Sequence, residues 1–317
     1  MNGRWRSGNA APGRCVMLAA MTEQTETRKQ RAARRAGEFP PAPEPLPVPV
    51  LDSHTHLDIT VGEFGTPPGG TPGDDPVAAA IDVAARAGVD RLVQVGVDVD
   101  SSRWSADVAD RYAPVLATVA LHPNEAPRLA DLDEALREIE TLAGRDRVRG
   151  IGETGMDFFR TGEEGRAAQE ESFRAHIAIA KRHGKALVIH DRDAHADVLR
   201  IVDDEGAPDT VVMHCFSGDA DFARECVRRG FLLSFAGTVT FGSAAALREA
   251  AAVTPPEQML VETDAPYLTP MPYRGRPNAS YLIPLTVRFL AETTGADLDT
   301  LCATISTNGE RAFGPWR

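Results

Sequence analysis

The sequence predicts an α/β fold, a TIM (β/α)8 barrel, and three observations carry that expectation. Eight short aliphatic or β-branched runs alternate with longer Ala-, Arg- and Glu-rich stretches from residue 48 onward, and strand–helix alternation implies a parallel sheet. Five of those runs end on, or lead directly into, His, Glu or Asp, as expected where C-terminal strand ends meet at one functional rim. The first run is not followed by the glycine-rich phosphate loop that an open doubly wound sheet ordinarily carries.

The barrel is expected to span residues 48–317, behind a disordered, Pro-rich N-terminal extension, residues 1–47. Within the extension, Arg4, Arg6 and Arg14 precede the apolar run Cys15–Met21. That run sits at the lower limit of a secretory core and no clean cleavage site follows, so a cytoplasmic protein is expected. Arg28, Lys29, Arg31, Arg34 and Arg35 lie among polar residues, the pattern of a solvated tail. Pro40, Pro41, Pro43, Pro45, Pro47 and Pro49 then read as a stiff linker.

In order, the strands are expected at 48–56, 91–97, 115–121, 148–153, 186–190, 210–214, 231–237 and 259–263. The helices are expected at 76–87, 101–111, 131–143, 164–183, 193–204, 219–229 and 243–252, with more beyond 280. Over 164–183, Phe173, Ile177 and Ala180 recur at helical spacing. Three helices end alike, on Arg86-Ala87-Gly88, Arg182-His183-Gly184 and Arg228-Arg229-Gly230. Glycine takes the left-handed cap there, and the cations suit the negative helix end. Gly62 to Asp75 reads as a long first βα loop at the rim.

At 317 residues and 43% hydrophobic content the chain can fill one large barrel core, and no run approaches the ~20 apolar residues of a membrane span. The net charge of −12 argues against a broad basic surface, while leaving room for a local positive cleft. Cys15, Cys215, Cys226 and Cys302 show no C-x-x-C spacing, which excludes a disulfide framework or zinc finger as the organising device. A monomer is expected.

The ionisable residues define the candidate site. On a strand, His54 and His56 share a face. The fourth strand ends on Glu153, the fifth on His190, the sixth on His214 and the eighth on Asp264, and the third leads into His122. Gathered without a metal, these groups would leave buried charge unpaired. Four histidines (His54, His56, His190, His214) and two carboxylates (Glu153, Asp264) are too many for one tetrahedral ion. They suit two divalent ions sharing a bridging carboxylate, with zinc, manganese or magnesium compatible. Cys215 is expected to point away, into the core. Glu262 shares the Asp264 face and points inward to a partner the sequence does not identify.

His54-Thr55-His56-Leu57-Asp58, Gly152-Glu153-Thr154-Gly155-Met156-Asp157, His214-Cys215-Phe216-Ser217-Gly218 and Glu262-Thr263-Asp264-Ala265-Pro266-Tyr267-Leu268 together resemble the TatD family of metal-dependent deoxyribonucleases. The resemblance runs from about residue 50 to Phe313. It implies a TIM barrel that hydrolyses DNA phosphodiesters with one or two divalent ions, as an exonuclease and also at abasic sites. Carried over, His54, His56 and Asp264 would hold the first ion, Glu153 would bridge, and His190 and His214 would hold the second. Asp264 would orient and deprotonate the attacking water, and His122 and Arg274 would contact phosphate. Arg192 is a further candidate, unless it pairs with Asp191 or Asp193. Ser217 and Gly218 offer either an anion contact or a helix cap.

Two departures bear on substrate choice. The family often reads His-Pro-His where this chain has His122-Pro123-Asn124. Its basic Arg-Gly-Lys-Arg-Asn-Glu-Pro loop is here Arg274-Gly275-Arg276-Pro277-Asn278-Ala279-Ser280. The same ligands would also serve a small-molecule amidohydrolase or esterase, or an aminoacyl-tRNA deacylase. A non-enzymatic alternative is a metal-binding scaffold that recruits partners through the basic arm.

Overall fold

A computed structural model describes residues 38–70, 73 and 75–316. Its eight strands are β1 (Val50–Thr55), β2 (Val89–Val95), β3 (Val115–Val119), β4 (Val148–Asp157), β5 (Ala186–Arg192), β6 (Val211–Met213), β7 (Leu232–Phe235) and β8 (Met259–Val261). They pair in parallel in sequence order from β1 to β8, and the curved sheet almost closes: a TIM barrel. Every residue of β1, β3 and β7 is buried, because the barrel interior covers one face and helices the other.

The helices are α1 (Leu57–Phe64), α2 (Pro76–Arg86), α3 (Val99–Arg111), α4 (Leu132–Ala143), α5 (Glu163–His183), α6 (His195–Glu205), α7 (Ala220–Arg228), α8 (Ala245–Val253), α9 (Ile283–Thr294) and α10 (Leu298–Phe313). Asp75, Asp98, Asp131, Asp219 and Asp297 cap helix starts by accepting first-turn N–H groups. Gly88, Gly184 and Gly230 adopt φ of 83°, 58° and 79°, the left-handed turns expected of them. Among the described residues, no helix is long and apolar enough to cross a membrane.

Two local readings change. The first βα connection holds helix α1 before its loop begins. Its eight residues are too few for a periodic signal, and it is fixed by Thr60 Oγ1 donating to His56 O (2.8 Å) and Leu57 N–H donating to Gln94 Oε1 (2.7 Å). The proline-rich run is sewn onto the barrel instead of standing off as a spacer. Leu46 N–H donates to Ala87 O (3.0 Å), Tyr281 Oη to Pro40 O (2.5 Å) and Arg276 Nε to Glu38 O (2.8 Å), while buried Phe39 packs edge-on against Phe64. The remainder of the expected extension, residues 1–37, lies outside the described residues.

The barrel's seam positions the site. β1 meets the segment after β8 in an isolated bridge, Thr55 to Ala265. Beside it His56 N–H donates to Ala265 O and Asp264 N–H to His54 O, both at 2.9 Å. Below, buried Asp52 accepts Thr263 N–H (2.9 Å) and the Thr263 hydroxyl (2.5 Å). Burial, only partly offset by bonds from Thr263, Ser280 and His54, pushes the Asp52 carboxyl up to about 7.

Candidate metal centre

The seam brings the β1 histidines against the end of β8. His54 Nε2 and His56 Nε2 lie 3.3 Å apart, and Asp264 Oδ1 is 3.8 Å from the first and 3.4 Å from the second. Asp264 holds a left-handed φ of 54°, a conformation rare outside glycine and concentrated at functional sites. His56 Nδ1 donates to Val95 O (3.2 Å). That bond leaves the Nε2 lone pair facing Asp264, the orientation a metal-binding imidazole needs.

The opposite side is built from β4 and β5, which run four and two residues further than the sequence indicates. Glycine permits this close pairing: a Cβ on Gly155 would stand 2.1 Å from His190 O, and one on Gly152 would stand 2.4 Å from Val188 O. Between them Glu153 sits 5% exposed. Its Oε2 is 3.5 Å from His54 Nε2. Its Oε1 lies 2.5 Å from His190 Nδ1 and 3.3 Å from both His214 Nε2 and His122 Nε2. The two oxygens of one carboxylate therefore face the two sides of the cluster.

All six expected ligands converge, together with His122. Donor atoms of His54, His56 and Asp264 lie within 4.8 Å of one another, as do those of His122, Glu153 and His190, those of His54, His214 and Glu262, and those of His214, Cys215 and Asp264. Burial opposes charging of His190, yet Asp157 and Glu153 raise its pKa to about 9. Burial likewise opposes charge on Glu153, and the His122 and His214 imidazoles outweigh it, holding the carboxyl well below its usual range. Such a cluster of carboxylates demands positive charge, which a divalent ion supplies by displacing protons. Imidazole and carboxylate donors fit a borderline or hard cation.

His122 plays a different part. Asn124 N–H donates to its Nδ1 (3.0 Å), so in the neutral ring Nε2 carries the hydrogen and is a donor, with no lone pair for a metal. Asn124 itself, where the family often has histidine, spends its side chain on Asp157 Oδ2 (2.9 Å) and on Thr161 (2.8 Å). Glu262 finds the partner that the sequence left open: its Oε1 lies 2.9 Å from His214 Nδ1 and accepts Cys215 N–H at 2.9 Å.

The cluster lies in a cavity of about 370 Å3, whose lining includes Arg160, Arg192, Arg274 and Arg276. Arg274 lies 4.3 Å over the Phe241 ring and Arg192 lies 4.0 Å over Phe159. Arg192 forms no ion pair with Asp191 or Asp193; the side chain of Asp191 instead faces His195 Nδ1 at 2.7 Å. Asn278 is structural, donating to Thr263 O and Tyr267 O. Ser217 does not cap α7, since Asp219 is the cap, and its Oγ donates to Asp191 O.

Cys215 does not enter the core. β6 ends at Met213, and Cys215 turns to φ 43°, so strand alternation no longer governs it and it lines the cavity. Burial and the facing carboxylates of Glu262, Asp264 and Glu153 push its thiol well up, keeping it protonated. Asp157 is a site residue that the sequence reading missed. It is fully buried, with Oδ2 3.3 Å from His190 Nε2. The signal in the sequence is its place four residues after Glu153, on the same face of a strand that runs that far.

Fold and donor set together define a class, the barrel hydrolases that work with a divalent metal, and comparison with known proteins narrows it. Residues 51–314 match the family described as TatD related DNase. The chain belongs to the TatD family of metal-dependent hydrolases. It is 45% identical over 269 residues to an uncharacterized metal-dependent hydrolase TatD of Mycobacterium tuberculosis (strain ATCC 25618 / H37Rv), covering 84% of this chain and 98% of that one. It is 34% identical over 239 residues to a protein of Citrobacter rodentium (strain ICC168) named 3'-5' ssDNA/RNA exonuclease TatD, covering 73% and 89%. The crystal structure of YJJV, a TatD homologue from Escherichia coli K12, superposes with a TM-score of 0.75 at 24% identity, covering 84% and 98%, a likeness of fold.

Proposed function

We propose that this hydrolase is a deoxyribonuclease that cleaves DNA phosphodiester bonds, working from strand ends. One observation carries the reading. Arg160, Arg192 and Arg274, none with a carboxylate at ion-pair distance among the described residues, line the same cavity as the six-donor cluster. Unpaired guanidinium groups beside a cation site suit a phosphodiester, whose oxygens they can hold bidentately. The name of the Citrobacter relative and the family description point the same way.

In this reading His54, His56 and Asp264 would hold one ion and His190 and His214 a second, with Glu153, whose Oε2 faces His54 and Oε1 faces His190, as a donor to both. Bound zinc, manganese or magnesium would lower the pKa of water and offset charge on the phosphoryl oxygens. Asp264 orients the attacking water and takes its proton. His122, with hydrogen on Nε2, donates to a phosphoryl oxygen, and Arg274 and Arg192 grip the others. Glu262 holds the His214 ring and Asp157 the His190 ring.

The test is a chelator-controlled assay on end-labelled single-stranded, double-stranded and abasic DNA. Cleavage should vanish with chelator and return with an added divalent ion. No cleavage with any ion, alongside hydrolysis of amides, esters or aminoacyl-tRNA, would replace this reading with the amidohydrolase or deacylase one.

A further inference from the structure

Phe159 and Met271 are the large hydrophobic side chains most exposed among the described residues, each at 45%. A single exposed apolar residue is ordinary; the surroundings of Phe159 are not. The Arg192 guanidinium lies 4.0 Å over its ring and that of Arg160 lies 5.7 Å away. Arg160 Nε and Nη2 are buried and have no hydrogen-bond partner. Burying polar groups unbonded is costly, and a ligand bringing acceptor oxygens removes that cost. Burial, and then the neighbouring Arg192, lower the Arg160 pKa from its ordinary value, so an anion placed between the two guanidinium groups relieves both effects.

The position of this group is not accidental. Asp157 Oδ1 accepts the backbone N–H of Phe159 (3.0 Å) and of Arg160 (2.9 Å). The other oxygen of the same carboxylate faces His190 Nε2 at 3.3 Å. Arg192 is two residues beyond His190 on β5, and its partner across the sheet is Asp157. Asp157 thus ties the backbone of Phe159 and Arg160, through its carboxylate, and that of Arg192, through strand pairing, to the metal centre.

We propose that Phe159, Arg160 and Arg192 form a nucleotide subsite. An unpaired base stacks on the Phe159 ring, and the phosphate joined to its sugar, the one Arg192 grips in the reading above, is held by Arg160 as well. The proposal rests on the nuclease reading above and deepens it by naming the residues that would take one nucleotide of the substrate. Stacking on an aromatic ring is sequence-tolerant and needs a base free of its own stack, so the subsite selects single-stranded nucleic acid. It also disfavours an abasic residue at that position.

The test is calorimetric titration of the full-length, metal-loaded protein with 2'-deoxyadenosine 5'-monophosphate and with 2-deoxyribose 5-phosphate. The wild-type protein should bind the nucleotide about tenfold or more tightly than the sugar phosphate. Phe159→Ala should erase that preference, weakening the nucleotide more than the sugar phosphate, which loses only what the freed Arg192 contributes, while Phe159→Trp keeps it. Arg160→Gln should weaken both ligands. Equal affinity of the wild-type protein for the two ligands, or equal loss of both in Phe159→Ala, overturns the subsite. Failure of the nuclease reading is a separate result, absence of hydrolysis of every oligonucleotide, and the titrations still decide the subsite.

Discussion

On the outside of the barrel, Arg200 reaches Glu170, Asp197 and Asp204, Arg229 reaches Asp203 and Glu225, and Arg145 reaches Asp107 and Asp110. At the cavity mouth, Arg160, Arg192 and Arg274 lie against Phe159 and Phe241 instead of a carboxylate. An aromatic face holds a guanidinium in place without neutralising it, which leaves its N–H groups for a ligand. Under the proposed nuclease reading, the contrast accounts for how a chain of net charge −12 would take a polyanion. The acidic excess is spent on the shell, where it pairs with arginine, and inside the cluster, where it calls for divalent cations.

The largest break in this contrast should come at the donors that the rim arginines surround. Asp264→Asn is expected to lower turnover about 10³-fold, within the range for loss of a general base, with the circular dichroism spectrum unchanged. Unaltered turnover in that variant, with metal content confirmed, removes Asp264 from its role. Glu153→Ala should release metal, because one residue faces both halves of the cluster. Elemental analysis reads that loss directly, and full occupancy in the variant would contradict the bridging position.

The next effect asks whether the shell supports the rim by charge or by burial. His176, on α5, is fully buried. Its Nε2 accepts Leu121 N–H (3.1 Å), one residue before His122, and its Nδ1 donates to Ser172 O (2.6 Å). Burial lowers its pKa to about 4, from an ordinary value of 6.5. Above pH 6.5 the ring is neutral in both folded and unfolded chains, and the stability is fully present. Between pH 6.5 and 4 the unfolded chain takes up the proton and the folded one does not, so stability falls with pH, by about 3 kcal/mol in all. His176→Gln should remove that part of the acid sensitivity, read from urea midpoints at pH 7 and 4.5. The same pH slope in both proteins would show that His176 titrates normally.

How far this site was legible follows from what each signal depends on. The barrel and the six converging donors were readable because strand alternation and the polar ends of apolar runs are local patterns. Asp157 was not, since the sequence marks no reason for β4 to continue past Glu153; that reason is the passage of β5 against Gly152 and Gly155. The orientation of Cys215 depends on one left-handed dihedral after a three-residue strand, which periodicity cannot register. Arg192 was ambiguous because its sequence neighbours are aspartates, whereas its spatial neighbour is Phe159. The anchoring of the proline run on Tyr281 and Arg276 is a contact across more than 230 positions, beyond any local rule.

Arg274→Ala tests the rim side of the contrast. Loss of a charge-assisted contact should lower kcat/KM about 10- to 100-fold on single-stranded DNA. It should also make the dependence of binding on salt shallower by about one phosphate contact. An unchanged salt slope would mean that Arg274 holds Phe241 and never meets the backbone.

The smallest effect belongs to the shell. Arg145 places Nη1 2.7 Å from Asp107 Oδ1 and Nη2 2.5 Å from Asp110 Oδ2, linking the turn before β4 to α3 on the outside of the barrel. Its side chain is 30% exposed, and pairs of this kind contribute roughly 0.2–1 kcal/mol, less as salt screens them. Arg145→Ala should therefore lower the urea midpoint slightly, and less so at high salt. The kcat/KM and salt slope on DNA should equal those of the wild-type protein, because this guanidinium is already neutralised and faces away from the cavity. A kinetic loss approaching that of Arg274→Ala would mean that the outer ion pairs set the position of the rim, and the division between paired shell and unpaired mouth would not hold.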